Sequence, residues 1–393
     1  MAHVRASAPR DAVAMTPRHL APALTLVALL GCADHTHSPT DAGTVDIAAL
    51  PLEELVTYTV DTADVPSVAV ALVDHTGVTS IAAAGVRRAG DAVPVTVDDQ
   101  YHLGSNTKAM TAALAAMAVD EGALSWTSTL GDVLGGELTE LDEGYLGVTL
   151  VELLSHTAGI DDATVIPLVE ELDEDPSTAR RESLGVVLAV PPQGPRGTFR
   201  YSNVGYVAAG RMLEVALGDS WERLLTARLF EPLQMRSCGF GPPGEPGVVD
   251  QPWGHEVLGR RLRPIDPGAD GADNAPVLGP AGTVHCALGD WARFAAMMLR
   301  GLEGSTDELV SPAGFAELRA PRSEDGYALG WVAREDPLQL VHDGSNTHFY
   351  SLAILTPGAD EALLVATNVG SPRAEAALEL VLTWYAARQA ESE

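Results

Sequence analysis

Strand patterns stand at both ends of the foldable chain, with helical periodicity between them. Ser67–Val73 is a continuous apolar run, Asp74-His75-Thr76-Gly77 supplies turn residues, and Val78–Val86 reads as a second strand. Far downstream, Tyr327–Val332, Leu338–Val341, Phe349–Thr356 and Ala362–Asn368 read as four successive strands, followed by a closing helix over Ala374–Arg388. Strands this far apart in sequence can share one core only by pairing in a single sheet drawn from both termini. The expected fold is therefore α/β (α+β): an antiparallel sheet built from N- and C-terminal segments and flanked by helices, with an inserted, mostly helical lobe. The sheet lobe is expected over 46–100 and 325–390 and the helical lobe over 101–324, with a cleft between them as the natural ligand site.

Within the insert, Thr107–Val119 carries Ala, Met and Leu on every face and is expected to be a helix buried all round, ended by Gly122. Thr149-Leu150-Val151-Glu152 has the spacing of a capping box, opening a short helix that stops near Gly159. Gly205–Leu217 and Leu288–Leu299 read as helices, and Asp219–Glu222 caps a further one that Pro232 closes. Leu50–Thr59 is a helix ahead of the first strand. Val169–Glu182, acidic and broken by Pro176, reads as a loop or a short exposed helix. Gly241–Gly279, rich in Gly and Pro, reads as a long loop, a class of segment that is often functional.

The N-terminal 31 residues look like a targeting segment. Arg18 precedes a charge-free, largely apolar run from Leu20 to Leu30, too short to span a bilayer at about 20 residues, and Gly31-Cys32 follows. Leu29-Leu30-Gly31-Cys32 resembles the bacterial lipobox, whose cysteine becomes lipid-modified; Met15 is a candidate start, and residues 32–45 read as a polar tether. The expectation is an exported, membrane-anchored lipoprotein facing the periplasm or cell surface, touching membrane only through Cys32. Formal charge is −30, which disfavours nucleic acid, because phosphate binding needs clustered Lys and Arg. Two cysteines remain, Cys238 and Cys286, compatible with one disulfide or with two buried thiols.

The sharpest chemical signal is a count. The chain has 23 arginines and one lysine, Lys108. Where a generic cation suffices, Arg has been used, so the remaining Lys is expected to do what Arg cannot, namely lose its proton when desolvated. Ser105 lies three residues earlier, on the same helical face. Gly104 permits a tight entry, and a serine at a helix start meets free N–H groups that favour a developing alkoxide. The amine can take the Ser105 proton or lower its pKa, as nucleophilic catalysis requires.

Ser105-Asn106-Thr107-Lys108 resembles the Ser-x-x-Lys motif of β-lactamases and penicillin-binding proteins. Tyr201-Ser202-Asn203 resembles the Tyr-x-Asn motif of class C β-lactamases, and His342-Asp343-Gly344 the third, strand-borne motif, in the same order. Leu153–Gly159, Phe230–Met235 and Tyr327–Trp331 look similar as well, so the likeness runs from about Leu50 to Arg388.

The resemblance implies a serine hydrolase that forms an acyl-enzyme on an amide, ester or lactam, with a small-molecule, peptide or ester substrate and neither metal nor organic cofactor. Ser105 would be the nucleophile. Tyr201 would be the general base, alone or with Lys108, its phenol acidified by the ammonium. Asn203 would hold Lys108 or a substrate amide, and the amides of Ser105 and Ser345, beside Gly344, would form the oxyanion hole. His342 stands where β-lactamases usually carry Lys, and Asp343 where Thr is common, which shifts weight from lactams toward peptides and esters. His156 is read as structural, His348 and Tyr350 as facing the cleft, and His102 is left open. The competing expectations are a catalytically inactive lipid-tethered binding or sensing module, and a structural lipoprotein in which Lys108 is incidental.

Overall fold

In the computed structural model, residues 45–138, 140–162, 175–335 and 338–392 are described; the targeting segment, Cys32 and all of the tether except Val45 lie outside them. Helix α1 (Leu52–Ala63) precedes a hairpin of β1 (Ser67–Asp74) and β2 (Gly77–Gly85). Its turn is set locally: the Asp74 carboxylate accepts the amides of Thr76 and Gly77 at 2.7 and 3.1 Å, and Gly77 adopts φ +132°. Strand β3 (Gln100–His102) and one 3-10 turn (Gly104–Asn106) lead into α2 (Thr107–Asp120). The insert continues through α3 (Leu130–Leu134), α4 (Leu150–Leu154), α5 (Pro176–Val187), α6 (Asn203–Leu217) and α7 (Trp221–Leu225). After β4 (Gly239–Phe240) come the hairpin β5 (Gly254–Leu258) and β6 (Arg261–Ile265), then α8 (Gly279–Gly282), β7 (Val284–Ala287), α9 (Leu288–Leu302) and α10 (Pro312–Arg319). Strands β8 (Val332–Glu335), β9 (Leu338–Ser345), β10 (Tyr350–Thr356) and β11 (Glu361–Thr367) and helix α11 (Arg373–Ser392) close the chain.

The main sheet has the order β2-β1-β11-β10-β9-β8, all antiparallel, so the two termini do share it. The seam is β1 on β11, from Val68 opposite Thr367 to Val73 opposite Ala362. Alternation sorts the side chains: Val68, Val70, Leu72, Leu352 and Val365 pack with α1 and α11 in one core. Ala69, Ala71, Val73, Ala353 and Leu364 face the other way, into a larger core shared with α2 and α9. Helix α2 is buried at every residue from Thr107 to Ala118, as its all-round apolar sequence requires.

Four segments differ from the sequence reading. Pro176 opens α5 rather than breaking it: it sits in the first turn, where its missing N–H costs nothing, and Asp175 caps the Thr178 amide. Gly241–Gly279 contains the β5–β6 hairpin, whose alternation is masked by Arg261, Arg263 and Glu256. The strand expected over Tyr327–Val332 begins only at Val332. Gly330 holds φ +78° against the backbone of Ala109, where a Cβ would lie 2.7 Å from the Ala109 Cα, and this closeness is incompatible with a straight strand. Finally, β9 runs on to Ser345, placing His342–Gly344 inside the strand.

Cys238 and Cys286 are joined in a disulfide linking the approach to β4 with β7. The helical lobe is tied by a fully buried Arg180 on α5. Its guanidinium donates to Glu214 of α6 at 2.6 Å and to Glu222 of α7 at 2.8 Å. Truncating one partner of a buried ion group strands the others without a counter-charge. Arg180→Ala is therefore expected to lose about 3–5 kcal/mol of stability, read from urea unfolding.

Candidate active site

Entry into α2 positions the first two groups. Ser105 lies in the 3-10 turn and Lys108 in the first turn of the helix, and the Lys108 amine donates to Ser105 Oγ at 3.0 Å. It also donates to Asn203 Oδ1 and to the Ala281 carbonyl of α8, both at 2.7 Å. With no exposed surface, the amine is desolvated and its pKa falls to about 7, against the weaker pull of Asp162 and Asp343.

The Tyr201 ring packs 4.8 Å from the amine, and its phenol is near enough to Ser105 for that side chain to lower its pKa. Burial holds this phenol well above its ordinary pKa of 10, the dominant influence on it, so the phenolate expected from a neighbouring ammonium is not favoured. The reason is shared: the burial that disfavours a charged phenolate also weakens the amine's hold on its proton.

Asn203 is the first residue of α6, and its amide is fixed by a carboxylate that the sequence reading missed. Asp162 accepts from the Ser202 hydroxyl at 2.6 Å, from the Val204 amide at 3.2 Å and from the Asn203 amide. It thus caps the positive end of α6 and adds negative potential at Lys108. His156 lies beneath Tyr201, with ring centroids 4.2 Å apart, and its Nδ1 accepts the Ser202 amide at 3.0 Å. It is buried and far below its usual pKa, a packing histidine as expected.

The third motif is supplied by β9. Strand β8 covers β9 only from Leu338 to Val341, leaving the edge of His342–Ser345 to meet the nucleophile turn. Two glycines make the approach possible. A Cβ on Gly344 would lie 2.1 Å from the Leu103 carbonyl and 2.7 Å from the Ser105 nitrogen, and one on Gly104, at φ +51°, 2.2 Å from the Ser345 nitrogen. The backbones carrying the Ser105 and Ser345 amides are therefore in contact.

His342 points into the cleft side and is buried. Its Nδ1 faces the Asp343 carbonyl at 2.5 Å, and a carbonyl only accepts, so Nδ1 carries the proton and Nε2 accepts from the Tyr327 hydroxyl at 3.1 Å. Burial and then Lys108 pull its pKa to about 3, so it is a neutral imidazole. Asp343 is not its partner through the side chain: it projects to the opposite face of the sheet, where the Tyr350 hydroxyl donates to it. Tyr350 lies on that face too, packed in the α1–α11 core rather than in the cleft. His348 binds the Gly271 carbonyl at 3.0 Å, anchoring the loop that follows β6.

The family model named Beta-lactamase matches residues 52–387. The chain belongs to the beta-lactamase family. Penicillin-binding protein 4 of Amycolatopsis lactamdurans is 30% identical to this family member over 309 residues, 73% of this chain and 77% of that protein. Several other curated relatives are longer, and the chain spans about half their length. Among solved structures, EstCE1, a hydrolase with promiscuous acyltransferase activity, aligns with TM-score 0.68 at 18% identity, covering 84% of this chain and 97% of that one. A D-stereospecific amidohydrolase from Streptomyces sp. aligns with TM-score 0.64 at 19% identity, covering 83% and 97%. These structural likenesses concern the fold: a mixed α/β architecture around an antiparallel sheet.

Burial pushes the Asp343 carboxyl up from its ordinary 3.8 to about 6. Between those values the folded protein holds more protons than the unfolded chain, so stability present below about pH 4 is lost as pH rises through about 6. Asp343→Asn removes that loss. It should match the wild type near pH 4 and exceed it by roughly 2–3 kcal/mol at pH 8, measured by urea unfolding at the two pH values.

Proposed function

We propose that this beta-lactamase-family chain is a serine hydrolase working through an acyl-enzyme, with carboxylate-free esters and amides as its preferred substrates. The observation that carries the reading is the buried Lys108 amine, 3.0 Å from Ser105 Oγ and with a pKa brought to about 7. As Oγ attacks the substrate carbonyl, its proton passes to the Lys108 nitrogen, and the resulting ammonium is held by Asn203 and the Ala281 carbonyl. The carbonyl oxygen becomes an oxyanion facing the Ser105 and Ser345 amides. Collapse of the tetrahedral intermediate breaks the bond to the leaving group, which takes the proton from Lys108 directly or across the Tyr201 hydroxyl. Water then attacks the ester at Ser105 while Lys108 accepts its proton, and the bond from the acyl carbon to Oγ breaks as Lys108 returns that proton to Oγ.

The substrate class follows from the third motif. A fixed cation there would pair with a substrate carboxylate, but His342 is a neutral imidazole already committed to Tyr327 and to the chain. Substrates whose recognition depends on a carboxylate next to the scissile bond lack a partner at that position. A hydrolase with promiscuous acyltransferase activity and a D-stereospecific amidohydrolase share this fold, which supports acyl-transfer and amide chemistry here. The inactive-module alternative draws no support from the site, where Ser105, Lys108, Tyr201 and Asn203 contact one another.

The pH dependence has a definite sign. The base is active when unprotonated, so kcat/KM for p-nitrophenyl butyrate should rise with pH through about 7 and level off above it. Lys108→Arg, which stays protonated, should lose at least about 10²–10⁴-fold with no ascending limb. A fluorophosphonate should add to Ser105, as read by mass spectrometry; folded wild-type protein left unlabelled would falsify the assignment. In a panel at equal concentration, simple esters and D-amino-acid amides should be turned over faster than nitrocefin.

We also propose export and tethering through Cys32. The Cys238–Cys286 bond supports an oxidising compartment. Cys32→Ser should move the protein from the membrane pellet to the soluble fraction.

A further inference from the structure

One cluster at the site has no part in the proton transfers. His102, the last residue of β3, is fully buried, and its Nδ1 accepts the Gly104 amide at 3.0 Å. A nitrogen that accepts carries no proton, so the ring hydrogen is on Nε2, which lies 2.9 Å from Asp273 Oδ1 in an electrostatic contact that is not aligned as a hydrogen bond. The same Oδ1 accepts from Asn346 Nδ2 at 2.9 Å. Asn346 in turn uses its own Oδ1 to hold the amides of His348 and Phe349 at 3.2 and 3.0 Å, closing the turn that follows Ser345.

Asp273 therefore sits between two chains of contacts. One runs through His102 to Gly104, the residue before the nucleophile. The other runs through Asn346, the residue after Ser345. These are the two backbone segments already pressed together by Gly104 and Gly344. The carboxylate is 7% exposed and its Oδ2 has no partner among the described residues, so both interactions are concentrated on one oxygen. Its loop is itself pinned by His348 on the Gly271 carbonyl and by Asn274 on the Gly282 carbonyl, next to the Ala281 carbonyl that receives Lys108.

We propose that Asp273 is a positioning residue which, through His102 and Asn346, fixes the spacing of the Ser105 and Ser345 amides. This rests on the serine-hydrolase reading above. Gly104, free of a Cβ and at φ +51°, has no side chain to hold its conformation; the His102 acceptor supplies the restraint. None of His102, Asp273 and Asn346 is among the hydrogen-bond partners of Lys108, so the expected influence falls on the step in which the oxyanion forms. A defect confined to the transition state lowers kcat and leaves KM nearly unchanged.

The test is steady-state ester hydrolysis by the full chain, with inhibition by phenylboronic acid, which forms a reversible tetrahedral adduct on a serine oxygen. Asp273→Ala and His102→Leu should lower kcat by about 10–10³-fold, up to the loss seen for an oxyanion donor, with KM within about twofold. Boronate affinity should weaken by a similar factor. His102→Asn keeps an oxygen where Nδ1 stood and can still accept the Gly104 amide, so it should recover most of the kcat lost in His102→Leu. Asp273→Asn, equal in volume, should show a smaller loss than Asp273→Ala and serves if the latter does not fold. Wild-type kcat in folded Asp273→Ala and His102→Leu would overturn the proposal, as would a rise in KM alone, or equal defects in His102→Asn and His102→Leu. Absence of Ser105-dependent turnover in the wild type would remove the hydrolase reading and this proposal together; normal turnover with inert variants removes only this proposal.

Discussion

A single desolvated amine organises the chemistry of this chain. Lys108 is buried because α2 is buried, and α2 is buried because it fills the space between the sheet and the helical lobe. Burial alone would leave a lysine unpaired and costly. In its protonated form it meets three acceptors, from Ser105, Asn203 and Ala281. They come from the 3-10 turn, α6 and α8, and the burial that lowers its pKa exists only when these pack together on α2. The active protonation state is thus a property of the tertiary fold.

The same low-polarity surroundings assign the other groups by sign. Removal of water weakens a cation and equally weakens an anion. Burial lowers the pKa of Lys108 and His342 and raises that of Tyr201 and Asp343. One cause therefore yields a neutral phenol, a neutral imidazole and an amine that releases its proton near neutral pH around Ser105, with the Asp162 carboxyl beside them. A site so composed has little to offer a carboxylate.

Much of this was legible in the sequence, for physical reasons that differ by residue. A lone lysine three residues after a serine is a statement about replaceability and helical pitch, both local, and it located the site. Apolar strand runs at both ends gave the sheet because burial on two faces leaves continuous hydrophobic segments. The β5–β6 hairpin was missed because exposed strands carry charges that hide alternation. Asp162 was missed because Asp161-Asp162 looks like any acidic surface pair; only folding carries it to the start of α6. Asp343 follows His342 in the third motif, but neighbours on a strand point to opposite faces, a consequence of pleating that the motif does not display. Tyr201 was given the wrong shift because the depth of its burial, which outweighs its charged neighbour, is not written locally.

Since the one lysine of the chain is sealed inside, the outer coat presents no side-chain primary amine. Reagents that acylate amines therefore find no lysine there, and guanidinium groups do not react with them under mild conditions. The same scarcity gives the spectroscopist a clean handle, because ¹⁵N-lysine labelling would place one side-chain signal in the spectrum, arising from the amine beside Ser105.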